Sequence, residues 1–308
     1  MKTLPRFVVA ALLLAASAAG RAQSIAELPD DKFKLLVDKI AIYHKALAAA
    51  RVVQKSYDRY AASVDIKTGP TGKEKTVDGL ADIAAAAQDI ANAGATGPGM
   101  WPPLPAVDDG AVKLAKTTAA LAPVLKDASE YYAQKKYKTD AAKHGHELHA
   151  QMLPMFEQFF GNEVAFRREL GVVQEDIERR YLAQIEKEHG KNYEWHLRSF
   201  LLAARLVADL LPNHVDAAMI ETGRYRTRFA NLSATYAVFT QYCTEHPAEV
   251  QKAVLATSPE DFFAATRILR GILDAPKPDR QVYLAKVNDL SAKYDALLQR
   301  TSTTTAAR

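Results

Sequence analysis

The sequence of 308 residues has a single cysteine, Cys243, and this scarcity excludes an internal disulfide bond. Stability must therefore come from packing, for which the apolar share of 48% is ordinary. The residues around Cys243 are typical of a helix, which predicts a small buried apolar thiol rather than a reactive one. The body of the chain also lacks an apolar run long enough to cross a bilayer, so no stable membrane anchor is predicted.

The excess of positive charge is small and is concentrated at the N terminus. The chain carries a formal net charge of +4. Lys2, Arg6 and Arg21 supply most of it, and no acidic residue accompanies them there. The rest of the chain is close to neutral, which gives no reason to expect binding to nucleic acid.

Residues 1–22 have the pattern of a cleaved signal peptide. Lys2 and Arg6 precede an apolar run from Phe7 to Ala16, and small residues follow it. This run of about 10 residues is half of what a helix needs to span a membrane. No cysteine lies near the cleavage point, so lipid attachment is not predicted. We therefore expect a periplasmic or secreted protein.

Apolar residues recur at intervals of three and four through the body of the chain, and this spacing predicts amphipathic helices. The clearest pattern runs from Asp30 to Val64, and no stretch shows the alternation typical of strands. We predict an all-α fold, an elongated antiparallel bundle of about seven or eight helices. One domain would span residues 23–300, and residues 301–308 would form a disordered tail.

A segment rich in glycine and proline separates the helices between Gly94 and Gly110. Prolines remove backbone donors and glycines loosen the chain, so the segment is predicted to be a long loop, and the domain would divide here if it has two parts. Met100 and Trp101 are its candidates for contact with a partner. The alternative is that Trp101 fills a gap at the end of the bundle.

Ionisable side chains between residues 140 and 149 are the strongest candidates for chemistry. On one helix, Asp140, His144 and Glu147 would lie within about 60° of one another, with His146 and His149 nearly opposite. The first group could bind a metal ion if another helix completed the site, and the alternative is a solvated face. The second group is predicted to face the core. The spacing does not match the His-Glu-x-x-His motif of zinc proteases.

Motifs for catalysis or for cofactor binding are not found. The chain has neither a Gly-x-Ser-x-Gly elbow nor a complete phosphate loop, so no catalytic residue and no cofactor is predicted. The stretch from Tyr131 to Lys138 interleaves aromatic and cationic residues. It is predicted to end a helix, with lysines near the negative end of the helix dipole and tyrosines packing inward, and the alternative is a site for an anionic or stacking ligand.

The same stretch and the residues after it resemble the signature region of the YiiG-like family. The resemblance is carried by Tyr131, Tyr132, Lys135, Tyr137, Lys138, Asp140, Gly145, Leu148, His149, Phe156 and Phe159. It implies an all-helical protein of the bacterial envelope with a domain of unknown function, and it provides no catalytic residue. Many family members resemble lipoproteins with a cysteine at the mature N terminus, which this chain lacks.

Three functions remain open at this point. The first is a non-enzymatic periplasmic protein that binds an envelope protein or another partner such as a small ligand. The alternative is a metal-binding protein or metal-dependent enzyme that uses Asp140, His144 and Glu147. A third possibility is a sensor domain that binds a small molecule in an apolar cavity between helices.

Overall fold

The computed structural model describes residues 25–77, 80, 83–252 and 259–305, and the predicted signal peptide at 1–22 lies outside them. Regular structure within these ranges is helical, and the one β-type contact is an isolated bridge between Asp65 and Gly69. The prediction of an all-α helical bundle is therefore confirmed.

The described part of the chain forms nine α-helices and three short 3-10 helices. The α-helices are α1 (Asp30–Ser63), α2 (Ala84–Thr96), α3 (Pro105–Ala133), α4 (Lys143–His189), α5 (Tyr193–Ala208), α6 (Thr222–Glu245), α7 (Pro247–Lys252), α8 (Pro259–Leu273) and α9 (Arg280–Thr305). The 3-10 helices are Ile25–Glu27, Gly97–Gly99 and Lys136–Lys138.

Helix α1 is the helix for which the sequence pattern is clearest. Asp30 and Asp31 lie in its first turn, where carboxylates stabilise the positive end of the helix dipole. Its 34 residues extend about 51 Å. One face is buried along most of this length, through Phe33, Leu36, Ile40, Tyr43, Ala46, Ala50, Val53, Tyr57 and Tyr60.

The first hydrophobic core joins α1, α2, α3 and the part of α4 that ends near Ile177. Phe156, Phe159 and Phe166 of α4 are fully buried in it. Each such side chain contributes on the order of 1.5–3 kcal/mol through the surface it removes from water. Helix α4 continues through Pro154 and is 47 residues long. It therefore extends well beyond the first core and reaches the second.

The second core joins α5, α6, α8 and α9. Phe200 of α5 stacks on Phe239 of α6 with ring centroids 5.8 Å apart, and it meets the edge of Phe262 of α8 at 6.5 Å. Cys243 is half-buried against this core, and burial raises the pKa of its thiol. The thiol thus packs as an apolar group, although it is less buried than predicted.

A buried ion pair connects α1 to α3 within the first core. The side chain of Lys39 is fully buried, and its Nζ lies 2.8 Å from the carboxylate of Asp108. The same ammonium donates to the carbonyls of Met100 at 3.1 Å and Pro102 at 2.8 Å. Asp108 also accepts a hydrogen bond from the hydroxyl of Tyr43. This network holds the connection between α2 and α3 against α1.

The loop predicted between Gly94 and Gly110 is shorter than expected. Helix α2 continues to Thr96, and α3 already begins at Pro105, since proline is well tolerated in the first turn of a helix. A Cβ atom at position 94 would lie 2.7 Å from the Cβ of Ala115, so glycine allows α2 and α3 to approach closely.

The glycine- and proline-rich segment lies inside one core rather than between two. Ala93 before it and Val107 after it are buried in the same cluster. The two clusters instead meet where α4 is followed by α5. At the other end of the chain, α9 continues past Arg300 to Thr305, where a disordered tail is predicted, and residues 306–308 lie outside the described ranges.

None of the helices in the described ranges is both long enough and apolar enough to cross a membrane.

Candidate functional site

The three predicted metal ligands lie at the start of α4 and in the turn before it. Asp140 belongs to the turn, where its carboxylate accepts a hydrogen bond of 2.9 Å from the hydroxyl of Tyr131. His144 lies in the first turn of α4. Its Nδ1 is 3.1 Å from Oε2 of Glu147, and its Nε2 is 3.4 Å from the carboxylate of Asp127.

This arrangement resembles a solvated polar face more than a metal centre. The hydrogen bond to Glu147 raises the pKa of His144, and Asp127 adds to the effect. The ring therefore holds more firmly the proton that a metal ligand must lose. Asp140 is engaged by a tyrosine instead of sharing a centre with the histidine. In the part of the chain that the structure describes, no group of three or more His, Cys, Asp or Glu side chains is placed to hold a metal ion.

The two histidines predicted to face the core behave differently. His149 is buried, its Nδ1 lies 2.8 Å from the hydroxyl of Tyr60, and its Nε2 lies 3.1 Å from the carbonyl of Ile66. Burial lowers the pKa of His149. The prediction that His149 faces the core is confirmed. The same prediction for His146 is wrong, because that side chain is exposed. His146 lies beside Gly69 at the edge of the packed surface.

The aromatic and cationic stretch at the end of α3 packs as predicted. Tyr131, Tyr132 and Tyr137 are buried in the first core. Lys135 and Lys138 are exposed. The tyrosines therefore contribute to stability, and the inward-packing interpretation is confirmed.

The candidate contact residues Met100 and Trp101 lie on the connection between α2 and α3. Trp101 is 38% exposed, and Nζ of Lys32 lies 5.2 Å from the centre of its ring. Because most of the Trp101 side chain is covered, the interpretation that it fills a gap at the end of the bundle stays a prediction. Met100 is half-buried. Contact of these two residues with a partner stays a prediction.

A cavity of about 1070 Å³ lies where the two cores meet. Side chains from α1, α4, α5 and α9 form its walls, and the connection between α5 and α6 adds to them. Its volume is slightly above the usual range of sites for small molecules, which measure about 300–1,000 Å³. The face of α1 that contributes is the one opposite its buried row.

Much of the cavity lining is apolar, as is usual for a site that binds a small molecule. Leucines and a valine come from all four helices and from the connection after α5: Leu47, Leu170, Leu197, Leu201, Leu202, Leu211, Leu284, Val287 and Leu298.

The connection between α5 and α6, which forms one wall of the cavity, is held in place by side chains of α1, α4 and α9. The backbone N–H of Val215 donates to the carboxylate of Asp58 at 3.0 Å. The amide of Asn213 donates to the carboxylate of Glu163 at 2.7 Å. Arg280 of α9 donates to the carbonyl of Val215 at 2.6 Å. These bonds give the cavity a fixed wall between the two cores.

Arg205 is the least expected residue of the cavity lining. It lies on α5 within the apolar run 200–208, and only 8% of its surface is exposed. None of its three guanidinium nitrogens has a hydrogen-bond partner. A buried charge in this condition costs several kcal/mol unless something compensates it.

The other arginines of the lining are paired with carboxylates. Nη1 of Arg51 lies 2.7 Å from Asp295. Nε of Arg167 lies 3.4 Å from Glu163. Arg198 lies 3.1 Å from Glu194. The carboxylates of these pairs are therefore engaged elsewhere, and Arg205 differs from its neighbours.

The charge of Arg205 affects the titration of groups on other elements of the lining. Burial lowers the pKa of His44 on α1, and Arg205 lowers it further. Asp209 lies one turn beyond Arg205 and opens into the cavity. Burial raises the pKa of Asp209 although Arg205 opposes this change. Arg205 nevertheless donates no hydrogen bond to that carboxylate.

A second polar group of the lining also lacks a partner. Nδ1 of His214 is buried and makes no hydrogen bond. The imidazole stacks on Phe160 with ring centres 4.0 Å apart and meets the edge of Tyr57 at 5.5 Å. Burial lowers the pKa of His214, which favours the neutral ring.

The sequence suggested an apolar cavity between helices as one possibility, but it gave neither the place of the cavity nor the position of Arg205 in its wall. One signal was available, because Arg205 is the single charged residue in the apolar run 200–208. The lining residues on other helices come from α1, α4 and α9, and which of these helices lie next to α5 depends on tertiary packing.

The fold and the cavity together describe an all-α helical bundle protein with a partly open cavity between its helices. The chain belongs to the family described as "Protein of unknown function (DUF3829)", whose model matches residues 34–272.

One relative lies in the family that the sequence resembles. The chain is 28% identical over 228 residues to "Uncharacterized protein YiiG" of Escherichia coli (strain K12). The matched region covers 70% of this chain and 63% of that relative, so the chain spans less than two thirds of the relative's length. The resemblance to the YiiG-like family is confirmed. No solved structure matches the chain.

Proposed function

We propose that this protein is a binding protein that encloses a small molecule in the cavity between its two helix bundles. The observation that carries the proposal is the cavity of about 1070 Å³, whose lining combines leucine side chains with charged residues and includes buried polar atoms of Arg205 and His214 without partners. Ligand sites in proteins typically combine apolar walls with a few such polar groups. That the protein has no catalytic activity of its own stays a prediction from the sequence.

The proposal includes a location in the periplasm or outside the cell. It is supported by the signal-peptide pattern at residues 1–22 and by the resemblance to an envelope family. A variant without residues 2–22 should remain in the cytoplasm, whereas the full chain should be recovered, cleaved, from the periplasmic or secreted fraction. Recovery of the uncleaved full chain from the cytoplasm would contradict this location.

Filling the cavity tests the binding proposal. Ala48 of α1 lines the cavity and is itself exposed, so a larger side chain there need not displace the buried core. Ala48→Trp should occupy the cavity without disturbing either core. Ala41 is exposed on the same helix outside the lining, so Ala41→Trp is the matched control.

The measurement is a titration with Nile red, a neutral apolar dye whose fluorescence rises in apolar surroundings. We expect the dye to bind the unmodified protein and Ala41→Trp, and to bind Ala48→Trp about 10-fold or more weakly, because the indole takes up the space needed by a ligand. Equal binding by all three proteins would refute the proposal, provided that circular dichroism shows the same helix content.

A further inference from the structure

We propose that the cavity takes an amphiphile whose anionic oxygen head binds the guanidinium of Arg205 while its apolar body lies along the preceding turns of α5. This inference rests on the proposed function, because it names the chemical class of the molecule that the cavity encloses.

The first step of the argument is the shape and number of the donors. An arginine presents its N–H groups in a planar fork, which matches two oxygens of a carboxylate or of a phosphate. In Arg205 this fork has no acceptor, although the side chain is more than nine-tenths buried. An anionic head with two oxygens would provide the missing acceptors.

The second step is that the nearby protein carboxylates do not fill this role. Glu163 accepts from Asn213 and pairs with Arg167. Asp295 pairs with Arg51. Asp209, one turn along the helix, receives no hydrogen bond from the guanidinium, and its side chain is exposed to the cavity rather than packed against Arg205.

The third step concerns the body of the ligand. Leu197, Leu201 and Leu202 line the cavity on the turns of α5 that precede Arg205. On α9, Leu284 and Leu298 add to the lining. A head at Arg205 therefore lies next to an apolar wall, and each CH₂ group of an aliphatic chain that this wall removes from water strengthens the binding.

The test compares four probes that share one aliphatic tail and differ in the head. Decanoate and decyl phosphate carry anionic heads, decanol is neutral, and decylamine is cationic. Each displaces Nile red from the unmodified protein, from Arg205→Met and from Arg267→Met. Arg267 is exposed on α8 outside the cavity, so its variant controls for the loss of one positive charge.

We expect decanoate or decyl phosphate to bind the unmodified protein about 10-fold or more tightly than decanol, since hydrogen bonds to charged groups are the stronger ones. Arg205→Met should remove this preference and weaken the binding of the anionic probe by about 10- to 100-fold. Binding of decanol to the same variant should change by less than about 3-fold, which also shows that the variant is folded. Arg267→Met should behave like the unmodified protein.

Three results would overturn the inference. They are equal binding of decanol and both anionic probes, a preference for anions that survives in Arg205→Met, and tightest binding of decylamine, which would make Asp209 the anchor. If Nile red binds but the head has no influence, only this inference fails. If neither Nile red nor any probe enters the cavity, the proposed function fails as well.

Discussion

Replacing Arg205 by methionine should stabilise the empty protein, and this is the strongest prediction from the cavity. Arg205 is only 8% exposed and its guanidinium has no hydrogen-bond partner, so no hydrogen bond offsets its desolvation in the folded state. Methionine retains an unbranched apolar chain of similar reach and has no charge to desolvate.

The expected magnitude follows from buried charges in other proteins. Replacement of buried ion pairs by apolar side chains is often neutral or stabilising by about 1–4 kcal/mol. One term opposes the gain, because Asp209 would lose the attraction of Arg205. Since Asp209 opens into the cavity and its pKa is raised, we expect this loss to be the smaller term. The net expectation is an increase of about 1–3 kcal/mol in the free energy of unfolding.

The assay is urea unfolding of protein that has been freed of bound compounds by unfolding and refolding. Circular dichroism and tryptophan fluorescence should follow the same transition if a two-state analysis is to apply. A loss of more than about 1 kcal/mol in Arg205→Met would refute the reasoning. It would mean that the guanidinium is a structural cation whose charge is balanced within the fold.

The remaining predictions concern the first core. Lys39→Met should lower the free energy of unfolding in urea by about 3–5 kcal/mol, because it leaves the buried carboxylate of Asp108 without its cation. Lys34 is exposed on the same helix, so Lys34→Met should change this free energy little. Similar losses in the two variants would contradict the prediction. Gly97→Ala should lower the free energy of unfolding by about 1–3 kcal/mol, because a Cβ atom there collides with the buried ring of Tyr43. Gly99→Ala is the control, because a Cβ atom at position 99 meets open space. Equal stability of the two variants would contradict the close packing of Gly97 on Tyr43. Acidification below about pH 6.5 should destabilise the protein, because burial lowers the pKa of His149 and the unfolded chain then binds a proton that the folded chain does not. His149→Gln should flatten the dependence of the unfolding free energy on pH in urea titrations between about pH 7 and 5. An unchanged slope would exclude His149 as a source of this dependence.

The helices could be predicted because their signals are local. The start of α1 at Asp30 and the start of α9 at Arg280 follow from spacing and from nearby helix-breaking residues. The limits of the segment between α2 and α3 were harder to predict. Proline at position 105 marks a helix start as readily as a loop, and Gly94 serves close packing instead of a turn.

The error at His146 illustrates a limit of helical phase. His146 and His149 differ by only about 60° around α4, so both were expected on the buried arc. The residues that cover this arc come from a distant segment near Gly69, which places His149 under cover and leaves His146 at the edge. Position on the arc was predictable, but the extent of the covering segment was not.

The candidate site could be predicted even less, because its walls are the faces of helices that look solvated in sequence. Arg51 and Lys55 of α1 read as a polar face opposite the buried row, yet they line the cavity. Only the pairing of α1 with α5 and α9 converts that face into a wall. The charged residue in an apolar run, Arg205, was the one local signal of it.

The place of the cavity between two cores joins its stability to its proposed function. An occupant would contact α1, a helix of the first core, and also α5 and α9, which are helices of the second core. A ligand that binds only the folded state stabilises it in proportion to the logarithm of its concentration over its dissociation constant. The unpaired guanidinium of Arg205 would therefore weaken the empty protein and strengthen the filled one for the same reason, namely that its acceptor comes from outside the chain. Side chains that violate the rules of stable packing are expected where a fold serves a function, and in the described part of this chain Arg205 is such a residue.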